Sequence, residues 1–158
     1  MNIIAALIII ISVIFDQATK LWAANVLKNG NSIKIIGNFL RLSYAENKGA
    51  AFSILQNQRI FFLIITIVML VFLALIYFKT KNISKMSRLS VAMIIGGAIG
   101  NFIDRFRLGY VIDFIDVRFG SFYNFPIFNI ADSFVVCGTI LMVILILFNK
   151  FETSGSNE

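Results

Sequence analysis

Apolar residues gather into four long runs separated by polar segments. The first spans about 3–24, "IIAALIIIISVIFDQATKLWAA", and carries charge only at Asp16 and Lys20. The second, about 60–78, is "IFFLIITIVMLVFLALIYF", almost wholly apolar. The third covers about 89–103 and contains "GGAIGN"; the fourth, about 127–149, lies within "FPIFNIADSFVVCGTILMVILILF". Runs of this length exceed a buried strand and match a helix crossing the hydrocarbon of a bilayer, which takes about 20 residues.

Local signals refine the elements. Asp16 and Lys20 are four apart and of opposite charge, so a helix puts them on one face as a pair. The first run lacks a basic leader and carries charge where a cleavage region is small and neutral, so it reads as a retained span rather than a signal peptide. Gly96 and Gly100 form a small-xxx-small step that lets another helix approach closely. Pro126 is expected near the first turn of the fourth helix, where proline is tolerated. Between runs one and two, "SIKIIGNFLRLSYA" is rich in β-branched residues and broken at Gly37-Asn38, predicting a small β-hairpin. With no repeat or linker, residues 1–150 read as one domain and 151–158 as a disordered cytoplasmic tail.

Composition fixes the solvent. The chain has 158 residues, 59% of them hydrophobic. Soluble domains are about 45–50% apolar. Net charge is +6, but the lysines and arginines lie between the apolar runs, a distribution suited to lipid headgroups and not to nucleic acid. "KTKNISKMSR", residues 79–88, holds four positive charges and no negative one, and Lys150 follows the fourth run. The positive-inside rule then places that loop and both termini in the cytoplasm, N-in and C-in. The fold class expected is a mainly α membrane protein, a four-transmembrane-helix bundle with a small extracytoplasmic hairpin in the first loop.

The absence of histidine removes Ser-His and Cys-His nucleophile pairs and every His-ligated zinc site. The single Cys137 cannot form an intrachain disulfide and reads as helix packing. No metal or cofactor is expected. The acids remain. Apart from Glu46 and the tail glutamates, each falls near the outer end of a span or in the second outer loop: Asp16, Asp104, Asp113, Asp116 and Asp132. A bundle would bring those ends together. Asn101 with Asp104, and Asn129 with Asp132, are three apart, so each amide shares a helix face with an acid. Arg105 is expected to neutralise the region of Asp104, and Asp116 to be a solvated loop acid. That leaves Asp113 and Asp132 as the pair to face each other. Two close carboxyls share a proton, so one can activate water while the other donates. On the residues alone, a proton or ion relay and a structural role stay open for this pair, and Asp104 is the rival for the first position.

Five blocks in order carry a resemblance over nearly the whole chain: "DQATK" (16–20), "NKGAAFS" (47–53), "GGAIGNFIDR" (96–105), "VIDFID" (111–116) and "FNIADS" (128–133). The chain resembles the lipoprotein signal peptidases, or signal peptidase II, bacterial inner-membrane aspartic peptidases. The resemblance implies cleavage of prolipoproteins on the amino side of a diacylglyceryl-modified cysteine, near the outer (periplasmic) membrane face. It maps the catalytic pair onto Asp113 and Asp132, and supporting polar roles onto Asp16, Lys20, Asn47, Gly49, Asn101, Asp104, Arg105 and Asn129. The partners implied are prolipoproteins and membrane lipids, with the enzyme a monomer. Three rivals are weighed against it. A small proton-coupled transporter subunit needs polar residues through the membrane depth, and the second run has only Thr66. A membrane assembly scaffold would tolerate neutral polar replacements of the acids. A Ser-Lys peptidase built on Ser53 and Lys48 finds no shared face on a loop or strand.

Overall fold

A computed structural model describes residues 3–49, 55–80, 82–120 and 122–153. Its elements run α1 (Ile3–Leu27), β1 (Ile33–Ile36), β2 (Leu40–Asn47), α2 (Arg59–Lys79), α3 (Lys85–Leu108), β3 (Val111–Phe119), β4 (Tyr123–Asn124) and α4 (Ile130–Leu147). All four helices are long and apolar enough to cross a membrane. Their outward faces carry exposed Ile, Leu, Val and Phe, such as Ile14, Ile64 and Ile140, which suits lipid contact.

The organising helix is α3, and small residues make it so. A Cβ on Gly96 would collide with the Ser12 hydroxyl, and one on Gly100 would stand 2.5 Å from Asp16 Oδ2. With the Lys20–Asp104 ion pair, these contacts step up both helices together, so α1 and α3 run parallel at close range. On its other side Gly97 meets Ala131 and Val135, while Gly138 of α4 meets Ile94 and Ser90, an antiparallel packing. α2 leans on α3 at both ends: the Arg105 guanidinium lies 4.8 Å from the Phe62 ring centroid, and that of Arg88 lies 5.3 Å from Tyr77. The predicted small-residue step is therefore the α1–α3 seam.

The expected hairpin is present as β1–β2, turning at Gly37-Asn38, but it belongs to a larger sheet. Strand order is β1-β2-β3-β4, all antiparallel. β3 occupies the expected second outer loop and pairs along β2, with Ala45 opposite Asp113 and Asn47 opposite Val111. α3 is longer at both ends than predicted, because Ser84 caps it by accepting from Ser87 N and Gly109 ends it at φ +84°. α4 starts later than predicted: Asn129 is its N-cap, so Pro126 lies before the helix and not in its first turn. Phe151 and Thr153, expected in a disordered tail, are tied to the α2–α3 connection: Ser87 Oγ donates to Phe151 O, and Thr153 N to Asn82 O. The rest of that tail lies outside the described residues.

Two apolar clusters bracket the bundle. One joins Ala5, Leu73, Tyr77, Ile83, Val91, Ala92 and Ile94; the other packs Ala23, Leu27 and Phe114 under the sheet. Between them sits a buried polar layer.

Candidate active site

That layer is built from the α1–α3 seam outward. Lys20 is 1% exposed and places its ammonium 2.8 Å from Asp16 Oδ2, 3.1 Å from Asp104 Oδ2 and 2.9 Å from Asn101 Oδ1. An ammonium has three protons and no acceptor, so this geometry uses all of them. Asp16 turns its other oxygen to Ala131 N at 2.9 Å, pinning the start of α4. Asp104 also accepts from Gln17 Nε2 (2.9 Å) and from Ile112 N (3.0 Å), tying α3 to β3. Asp16 sits mid-helix and not at a span's end, which a buried carboxylate tolerates only with such partners.

The lysine also decides which way an amide points. Asn101 must offer its oxygen to an ammonium that only donates, so its Nδ2 faces Asp132 Oδ1, at 2.7 Å. Asn129 is fixed in the same manner. Its oxygen accepts from Asp132 N at the helix cap, while its Nδ2 donates to Asp113 Oδ1 at 2.6 Å and to Asn101 Oδ1 at 3.1 Å. Asp132 returns the cap by accepting from Asn129 N at 3.1 Å, a reciprocal capping box. At the end of β2, Asn47 accepts from Gly49 N and thus aims its Nδ2 at Asp113 Oδ2, 3.0 Å away. Arg105 closes the rim by donating to Gly49 O at 3.0 Å.

Asp113 and Asp132 line one cavity of about 440 Å³, with Asn47, Asn101 and Arg105 at its polar end. Its other walls are apolar, from residues 125–128 and from Val135, Val136 and Cys137. Burial, then the neighbouring Asp132, push the Asp113 carboxyl up to about 7, against the hydrogen bonds from Asn47 and Asn129. Two carboxyls on one cavity, each held by amide donors, can share a proton and polarise a water between them. Among the described residues no group of three or more His, Cys, Asp or Glu side chains is arranged to hold a metal ion.

Three expectations are corrected. Asp116 is not solvated: it is 2% exposed and takes a forked grip from Arg118 on the same strand face, at 2.9 and 2.7 Å. The ion pair of Asp104 is with Lys20, because adjacent Arg105 points off another side of α3, toward Gly49 and Phe62. Cys137 is exposed and lines the cavity, so it is not packed between helices. Asp104, the rival for the first position, is absent from the lining of this cavity, and its oxygens accept from Lys20, Gln17 and Ile112 N. Gln17, which bridges Asp16, Gly100 O and Asp104, was missed by the sequence reading; an amide beside an acid in an apolar span was the available signal. Ser53, the nucleophile of the rival peptidase, lies outside the described residues.

Comparison with known proteins converges. A family model described as "Signal peptidase (SPase) II" matches residues 8–148. Curated relatives named lipoprotein signal peptidase include that of Clostridioides difficile strain 630, 45% identical over 149 residues, covering 94% of this chain and 97% of the relative. That of Staphylococcus aureus strain Newman is 44% identical over 153 residues, covering 96% and 91%. A solved structure described as a bacterial membrane enzyme, obtained by the in meso method at 2.3 Å, superposes with a TM-score of 0.88. It is 40% identical and covers 100% of this chain and 94% of its own.

Proposed function

The chain belongs to the signal peptidase II family, and from that premise we propose that it is an aspartic endopeptidase acting on lipidated preproteins in the bacterial inner membrane. Its substrates are prolipoproteins whose cysteine carries diacylglycerol, and it cuts on the amino side of that cysteine. Residues 1–150 form one monomeric catalytic domain, N-in and C-in, with the cavity near the outer face. Those orientations follow the density of positive charge in residues 79–88.

The observation that carries the chemistry is the single cavity shared by Asp113 and Asp132, with donors fixed on both. The ionised member of the pair removes a proton from water, and the hydroxyl oxygen bonds to the scissile carbonyl carbon. The protonated member hydrogen-bonds the carbonyl oxygen as charge develops there. Collapse of the tetrahedral adduct breaks the C–N bond, and a proton from the pair goes to the leaving amine of the cysteine. The apolar walls accept the signal peptide, which must unwind locally for its carbonyl to reach the two acids.

The test uses purified protein and a diacylglyceryl-modified prolipoprotein. Asp113→Asn and Asp132→Asn are expected to fold and not cleave, while Ser53→Ala retains activity. Cleavage by either Asn variant would overturn the assignment.

A further inference from the structure

The sheet ends, on the side away from Asp113, in apolar residues that the fold leaves uncovered. Phe39, from the β1–β2 turn, meets Phe119 of β3 edge-on at 5.5 Å, and Phe119 stacks with Tyr123 of β4 at 6.5 Å. Arg118 N donates to Phe39 O at 2.8 Å, joining the two hairpin tips into one unit. Phe122, between β3 and β4, is 96% exposed, and Ile35 and Ile36, on β1 next to the Phe39 turn, are more than half exposed. Side chains this large and contiguous are not left in water by a soluble surface.

Charge points to what covers them. Lys34 and Arg41 stand opposite each other across β1 and β2, a like-charged pair that is destabilising by itself. Next in the row is Asp116, which would balance them, but Arg118 holds it in a forked grip. With Arg118 two residues along β3, this corner of the sheet carries three cations against one acid, beside an aromatic tip. Cations next to aromatic rings match the headgroup boundary of a bilayer, where phosphates meet acyl chains.

The connections keep the sheet at that boundary. It joins α1, α3 and α4 through residues 28–32, 109–110 and 125–129, and Phe114 packs on Ala23 and Leu27 at the end of α1. We propose that the joined hairpin tips, Phe39, Phe119, Phe122 and Tyr123 with Ile35 and Ile36, insert into the lipid interface. There the Lys34–Arg41 pair engages anionic headgroups. The sheet is then a second anchor beside the helices, and it sets the height of Asp113, on β3, relative to the lipid surface. The inference rests on the spans and the sheet, and is independent of which acids do the chemistry.

The test is the full chain carrying Phe122→Trp in a Trp22→Phe background, reconstituted in phosphatidylcholine vesicles with or without phosphatidylglycerol. The expected result is blue-shifted emission, quenched strongly by lipids brominated near the headgroup end of the acyl chain and weakly by deep bromines. Lys34→Glu with Arg41→Glu should lower that quenching at least two-fold in the anionic vesicles and leave it unchanged in the neutral ones. Phe39→Trp, on the other hairpin, should report the same depth. Emission quenched by aqueous iodide and not by bromolipid would overturn the proposal. So would burial that grows only with protein density, which assigns the tip to a second copy, or only on adding prolipoprotein, which assigns it to substrate.

Discussion

Replacing Asp113 by Asn should produce an enzyme that is dead and, at alkaline pH, more stable than its parent. Burial and Asp132 push this carboxyl from 3.8 to about 7. The folded protein then holds a proton that the unfolded chain releases near 3.8, so its contribution is fully present below that value. It is lost as pH rises through about 7. A shift of just over three units, at 1.36 kcal/mol each, amounts to about 4 kcal/mol. Asparagine carries no charge and forfeits none of this with pH. It keeps the oxygen facing Asn129 but turns an amide toward the Asn47 amide, losing a hydrogen bond of about 1–2 kcal/mol. The two effects cross. Near pH 4 the variant should be about 1–2 kcal/mol less stable, and near pH 8 about 2–3 kcal/mol more stable. Unfolding in detergent micelles, followed by circular dichroism across that range, measures the difference. Parallel pH–stability curves for parent and variant would refute the reasoning, whatever their offset.

Three other outcomes follow from the buried layer. Lys20→Met leaves Asp16 and Asp104 buried without their cation, and should lose about 3–5 kcal/mol in the same unfolding measurement; adding Asp16→Asn should recover part of it. Gly97→Ala should be the more damaging of two adjacent changes, since its methyl meets the Ala131 backbone carbonyl. Gly96→Ala collides with the Ser12 side chain and touches the Ile9 carbonyl only at van der Waals distance, so Ser12→Ala should partly rescue its melting temperature, and equal rescue of both would contradict the seam described. Asp116→Ala breaks the Arg118 grip and should lower stability by about 1–3 kcal/mol, with kcat on the lipidated substrate unchanged.

The four helices were readable because length and apolarity suffice to signal a span, and the hairpin was readable from Gly37-Asn38. β3 was not. Its acids at 113 and 116 interrupt the apolar pattern, and the strand exists through pairing with β2, far away in sequence. α3 was read short because Lys85 and Arg88 at one end, and Asp104, Arg105 and Arg107 at the other, bound the apolar run; the first turn is held by Ser87, whose hydroxyl reaches Phe151 O, a partner no local pattern reveals. The cluster of acids was legible as residue types near span ends. Its wiring was legible only in part: the Asp16–Lys20 pair lies within one helix, whereas Lys20 meets Asp104 and Asn101 only once α1 and α3 lie side by side. Asp116 was misjudged although Arg118, two residues on along the same strand face, was a usable cue.

The seam between α1 and α3 also bears on how the chain is made. α1 leaves the ribosome long before α3 exists, so its charged residues have to enter lipid without Asp104 or Asn101 to receive them. Asp16 and Lys20 stand one turn apart and neutralise each other within a single segment. The newborn helix therefore inserts as a closed ion pair, which later opens its remaining protons to the arriving partner. A pairing that steadies the finished enzyme is, in the first moments of synthesis, a passport through the translocon.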